Sequence, residues 1–142
     1  MRKIYTSGFI LLLLVFFASC SKDFLKRYDK RIVGTWEIED INRHGIGGSS
    51  NLPFDEGGIF TFSEDGTLSH SFSGRTYQGS WDIRKELRED KNSNSLHITA
   101  IDFANQQVLS EFFNEILFTS TNKFKAYIYL GTRTYVYHFR RQ

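Results

Sequence analysis

From Arg31 onward, apolar and polar residues alternate with a period of two, and no stretch holds a helical period for more than two turns. Such alternation puts successive side chains on opposite faces of a pleated strand, so it predicts strands with one buried and one solvated face. Ile32, Gly34, Trp36 and Ile38 share one face of a first strand, with Thr35, Glu37 and Glu39 on the other. A second strand over Ile59 to Ser63 turns Phe60 and Phe62 inward. Asp65-Gly66 is a strong hairpin signal, because such turns need residues that tolerate positive φ. Leu68, His70 and Phe72 then alternate along a third strand, Ser73-Gly74 makes the next turn, and Tyr77, Gly79, Trp81 and Ile83 mark a fourth inward face.

Further along, Leu96, Ile98 and Ala100 begin a fifth strand. Phe112 to Phe118 is apolar on both faces, with Phe112, Ile116 and Phe118 opposing Phe113 and Leu117, a pattern expected where both sides are covered. Lys123 to Leu130 and Arg133 to Arg141 form a last hairpin around Gly131, with Phe124, Ala126, Ile128 and Leu130 and then Tyr135, Tyr137 and Phe139 inward. Eight strands in sequence-adjacent hairpins, with no crossover helix, can remove their exposed edges by closing. The pattern predicts an all-β fold, an eight-stranded antiparallel up-and-down barrel or a strongly curled sandwich. Two long connections interrupt it. "NRHGIGGSSNLPFDEGG" (42–58) holds five of the eleven glycines and the only proline, and its length suits a lid or binding loop. The charged "RKELREDKNSN" reads as a solvated loop, or at most one helical turn.

The ends divide the chain further. Arg2 and Lys3 precede a ten-residue apolar run from Phe9 to Ala18, too short to cross a hydrocarbon core of about 30 Å, so residues 1–19 read as a signal segment. Residues 20–30 are charged and aperiodic and read as a tether, leaving 31–142 as a single domain. Cys20 is the only cysteine, so no internal disulfide is available and the core must supply the stability. The 14 Phe, 7 Tyr and 2 Trp offer large apolar areas for one. Without residues 1–19 the 18 basic residues fall to 16, against 16 acidic ones, so the mature charge is near zero. Nucleic-acid binding needs a basic excess to release counterions, and that class is set aside.

Two resemblances add to this reading. "FFASC" (16–20) resembles the lipobox of bacterial lipoproteins, which implies that Cys20 is lipidated and anchors the chain to a membrane. Ser21 directly after it resembles an outer-membrane sorting signal of Gram-negative bacteria, with the periplasmic or outer face left open. Gly34-Thr35-Trp36, "FTFSEDGTL" (60–68), "GSW" (79–81) and "YHFRR" (137–141) resemble the small lipocalin-like lipoproteins of bacteria and their G-x-W signature. That likeness implies a barrel whose closed end is floored by Trp36, with Gly34 beside it and an arginine of the last strand packed on the indole. Arg141 shares the inward parity of Tyr137 and Phe139 and is favoured over Arg140.

Chemistry beyond binding finds little support. His44, His70, His97 and His138 lack the i, i+2 or i, i+4 pairing of metal ligands. The carboxylates Asp55 with Glu56, Glu64 with Asp65, and Glu111 with Glu115, the last pair on one strand face, read as solvated. No nucleophile elbow or phosphate loop is present, so neither catalytic residues nor a metal or other cofactor are expected. Two surfaces could bind. Inside, His70, Tyr77, Tyr135 and Tyr137 are polar handles among Phe60, Phe62, Phe72 and Trp81, forming either a pocket for a small apolar ligand or a packed core. Outside, Phe113, Tyr127 and Tyr129 would form an aromatic patch for a protein partner.

Overall fold

A computed structural model describes residues 27–47, 51–55, 57–88 and 91–142. The expected signal segment, Cys20 and most of the tether lie outside them. The described chain is all-β apart from one short helix. Nine antiparallel strands form one sheet: β1 Gly34–Gly45, β2 Ile59–Phe62, β3 Thr67–Phe72, β4 Arg75–Arg88, β5 Lys91–Asp102, β6 Gln107–Phe113, β7 Glu115–Ser120, β8 Lys123–Leu130 and β9 Arg133–Arg141. Their order is β6-β5-β4-β3-β2-β1-β9-β8-β7, so every neighbouring pair is a sequence-adjacent hairpin except β1 with β9. Among the described residues no helix is long and apolar enough to cross a membrane.

The turns follow from local chemistry. Asp65 accepts hydrogen bonds from both the amide and the hydroxyl of Thr67, at 3.0 and 2.7 Å, while Gly66 takes a φ of 84°. Ser73 and Gly74 both have positive φ, as a two-residue hairpin turn matched to strand twist requires. Asp102 caps the β5–β6 turn: its carboxylate accepts from the amides of Ala104 and Asn105 and from the Asn105 side chain, at 2.9, 3.2 and 2.7 Å. Those bonds, the Asn105 side chain's first, hold the Asp102 carboxyl below its ordinary range.

Three expectations are corrected. The segment 112–118 is two strands, not one, which makes nine rather than eight. Asn114 bends it, donating its amide to Tyr127 O at 2.8 Å while its side-chain oxygen accepts the Tyr129 amide at 2.8 Å. The chain thereby leaves β5 as partner and joins β8, and the ladder is open between β6 and β7. The bend also resets parity, burying Phe113 (0% exposed), Ile116 and Phe118 and leaving Phe112 and Leu117 38% and 44% exposed. Second, residues 84–88 and 91–94 of that charged segment continue β4 and β5 as a two-stranded extension, with Arg84 opposite Ser95 and Leu87 opposite Asn92. Third, the end of the tether forms helix α1, Tyr28–Ile32, and buries Ile32 completely. β1 also runs past Ile38, through a bulge between Ile38 and Asp40, because β9 pairs with it as far as Gly45.

The register sorts the turns to two ends. Helix α1, the β2–β3 and β7–β8 turns and the β4–β5 extension lie at one end, called the floor. The β1–β2, β3–β4, β5–β6 and β8–β9 connections, with residues 51–55 and 57–58, lie at the opposite end, the mouth. Between them one aromatic core fills the concave side, with Trp36, Phe60, Phe62, Phe113, Phe124, Tyr137 and Phe139 all fully buried. Phe124 and Phe139 stack at 4.4 Å, and Phe113 meets Tyr137 edge-on at 5.1 Å, geometries that add to the area they bury.

Candidate binding site at the mouth of the sheet

The floor is sealed by the residues of the first and last strands. Trp36 and Arg141 are direct partners across β1 and β9, and the Arg141 guanidinium lies 4.3 Å from the indole centroid. Its two terminal nitrogens donate to Val33 O and Arg31 O, at 2.9 and 2.8 Å, while the Trp36 indole N–H donates to Ile32 O at 2.6 Å. Helix α1 therefore ends with its last carbonyls satisfied by the two side chains it covers. Gly34 stands at φ 128°, and a Cβ there would meet Arg141 Nη1 at 2.3 Å. Arg140 points the other way and pairs with Glu37 and Glu39 at 3.4 and 3.3 Å. Trp81 belongs to this half too: its amide donates to Gly66 O and its indole N–H to Ser63 O, at 2.9 and 3.1 Å.

The mouth is assembled differently. Residues 51–55 and 57–58 fold over the core and drive Phe54 into it. Phe54 has a φ of 63°, uncommon for an aromatic residue, and its ring meets Phe60 and His70 edge-on at 5.2 and 5.1 Å. The Gly57 amide closes a tight turn on Phe54 O at 3.1 Å, and the Tyr137 hydroxyl donates to Pro53 O at 3.2 Å. Beside this roof lies a cleft of about 350 Å³ lined by Leu52, Phe54, His70, Phe72, Tyr77 and Leu109, with Asp55, Arg75 and Gln107 contributing polar groups.

His70 is the most constrained polar group there. It is 2% exposed, stacks on Phe60 at 4.2 Å and lies 5.4 Å from the Tyr77 ring. Gly58 admits it, since a Cβ at that position would fall 2.4 Å from His70 Cε1. Nδ1 lies 3.3 Å from Ile59 O, and burial lowers the pKa from the usual 6.5 to about 4, against the weaker opposing effect of that carbonyl. The ring is neutral at physiological pH. Tyr137 is pushed upward by burial first, then by Glu111, Asp55 and Tyr135. Glu111 is raised by burial, although it accepts the amide of Phe112 at 3.0 Å.

The five expected pocket residues thus separate. His70 and Tyr77 line the cleft, Tyr77 donating to Gln107 Oε1 at 3.4 Å. Tyr137 fastens the roof, Tyr135 is buried within its electrostatic reach, and Trp81 lies toward the floor. Phe54, Arg75, Gln107 and Leu109 were not singled out by sequence reasoning. The one available signal was an aromatic residue enclosed by Pro and paired Gly in a loop of lid length. Glu111 and Glu115 do not act as one solvated pair: Glu111 is half-buried with a raised pKa, whereas Glu115 accepts the Tyr129 hydroxyl at 2.8 Å.

The chain matches no family model, no curated protein and no solved structure.

On the outer face, Tyr127 and Tyr129 stack at 6.2 Å and are half-buried. Burial, then Glu115, raises the Tyr127 pKa. Phe113, expected beside them, is in the core instead, a correction that follows from the Asn114 bend. Among the described residues no group of three His, Cys, Asp or Glu is placed to hold a metal ion. A larger crevice of about 640 Å³ lies outside the core, between helix α1 and the β4–β5 extension. Tyr28 and Ile83 line it together with Arg27, Asp29, Lys85, Asn92 and Asn94. The mouth cleft is taken as the site because there a buried, rigidly held imidazole borders Phe54, Phe72 and Leu109 beside the polar groups of Asp55, Arg75 and Gln107.

Proposed function

We propose that the protein is a lipid-anchored lipoprotein of the cell envelope, held at the outer membrane through Cys20, whose lipocalin-like domain binds a small, largely apolar ligand without catalysis. In this reading β6 and β7 are one bent strand, and the domain is an eight-stranded up-and-down barrel with its floor at Trp36 and its binding end at the mouth. The lipobox-like "FFASC" and the G-x-W strand support it, as does the pairing of first and last strands. One observation carries the binding function: the cleft beside Phe54, where Phe54, Phe72 and Leu109 meet His70, Tyr77, Asp55, Arg75 and Gln107. Sites for small molecules bring apolar side chains together with convergent polar groups in this way. The ligand sits at the mouth rather than deep inside, since the inner space is taken by Phe60, Phe62, Phe113 and Phe139.

The test is a panel of small apolar and aromatic compounds titrated into the ¹⁵N-labelled domain. Perturbations centred on Phe54, His70, Tyr77 and Leu109 are expected; a panel that moves none of these resonances contradicts the reading. A second reading, a protein-interaction lipoprotein with a filled interior, rests on the stacked Tyr127 and Tyr129 beside exposed Leu117. It predicts that Tyr127→Ala with Tyr129→Ala abolishes capture of a membrane partner, and unchanged capture counts against it.

A further inference from the structure

His70 lies at the mouth with one face of its ring stacked on Phe60 and the rings of Phe54 and Tyr77 against it, and the hydrogen-bond geometry fixes which nitrogen carries the proton. Ile59 O can only accept, so Nδ1, 3.3 Å away, must be the donor. A neutral imidazole with its proton on Nδ1 presents a bare lone pair at Nε2. No other hydrogen bond engages the ring among the described residues, and the ring borders the cleft. Its orientation is held by Phe60 on one face, by edge-on contact with Phe54, by the tilted ring of Tyr77, and by the absence of a side chain at Gly58. A ring so clamped is a preorganised acceptor that loses little freedom when a ligand meets it. The surrounding wall joins Phe54, Phe72 and Leu109, which suit the face of a flat ring, to Asp55, Arg75 and Gln107, which suit a polar edge, and the volume of about 350 Å³ accommodates one or two fused rings.

We propose that the mouth cleft takes planar, largely apolar molecules bearing one ring N–H or hydroxyl, and that His70 Nε2 accepts that hydrogen. The inference rests on the binding function proposed above and adds the ligand's class to it. A ligand of the same shape lacking the donor would bury the Nε2 lone pair without replacing the water it loses, and such a mismatch is penalised more than the mean worth of a hydrogen bond.

Indole and benzofuran provide the comparison, since they share a shape and differ in the ring N–H. Each is titrated into the wild-type domain and into His70→Phe, which preserves the stacking on Phe60, with binding read from the amides of residues 54, 72, 77 and 109. The expected result is a preference for indole of roughly tenfold in the wild type, lost in His70→Phe. Equal binding of the two compounds at the cleft of the wild type overturns the donor inference and leaves the binding function standing. A preference that survives in His70→Phe also overturns it, by placing the acceptor elsewhere. Binding of neither compound at the cleft overturns both. If His70→Phe does not fold, the wild-type ratio alone decides.

Discussion

At the floor, Trp36 is held by Arg141, whose terminal nitrogens are bonded to the carbonyls that end helix α1, and Gly34 leaves only enough room for the guanidinium. At the mouth, Phe54 is held by one turn, one tyrosine hydroxyl and two edge-on rings, and the cleft beside it remains accessible. Both ends plug the same core with an aromatic side chain. The floor plug belongs to a strand paired on both sides and is stitched to a helix; the roof plug belongs to an irregular connection. The Trp36 plug is therefore the firmly stitched one, whereas the loop-borne Phe54 plug stands beside a cleft that reaches a buried imidazole, a division expected when low-stability segments serve binding.

The comparison breaks most readily at Trp36. Trp36→Ala empties a fully buried site and strips Arg141 of its aromatic face, and should cost about 3 to 5 kcal/mol in urea denaturation. Ligand affinity of the molecules that remain folded should be unchanged; a small stability loss, or a large affinity loss, would reverse the assignment of the two ends. Phe54→Ala is the matching change at the mouth. It should cost less, about 2 kcal/mol because a connecting segment can relax around the gap, while speeding both association and release of an aromatic ligand in stopped-flow measurements.

The smallest effect is in pH. His70 is held below its unfolded pKa, so the unfolded chain binds the extra proton between about 6.5 and about 4, and stability falls as pH falls through that window. The slope attributable to this one group approaches at most about 1.4 kcal/mol per pH unit. Glu111, raised by burial, gives the opposite slope just above its ordinary 4.5, and Asp65 and Asp102, both lowered, act only below 3.8. The difference between wild type and His70→Phe isolates the histidine: its stability advantage at pH 7 should narrow toward pH 4, and a constant difference would place the ring in contact with solvent.

The strands were legible wherever one face is buried and one is wet. Phe60, Phe62, Leu68, His70, Tyr77, Trp81, Phe124, Ala126, Ile128, Tyr135, Tyr137 and Phe139 were read as inward and are buried, because a period of two leaves a strand no other way to hide them, whereas Leu130, read as inward with them, is exposed at the end of β8. The parity of Arg141 followed from the same rule. It failed at Asn114, where apolar residues on both sides hide a reversal of face that only a side chain bonded to β8 reveals. It was silent for the β4–β5 extension, since a hairpin with little to bury has no pattern to show. Helix α1 spans five residues, too few for a period, and its burial depends on Trp36 and Arg141 from elsewhere in the chain. Phe54 was hidden for a related reason: a loop aromatic is placed by its tertiary partners, here Phe60 and His70, rather than by its neighbours in sequence.

The division of labour between the ends is tested most directly by the side-chain N–H resonances of the two tryptophans and the amides of the mouth, followed in one titration with indole. Trp36 and Trp81 both donate to backbone carbonyls on the floor side of the core, so each reports on that end. The account predicts saturable shifts at Phe54, His70, Tyr77 and Leu109 with both indole signals stationary. Shifts at Trp36 that track the titration while the mouth stays unmoved would contradict it.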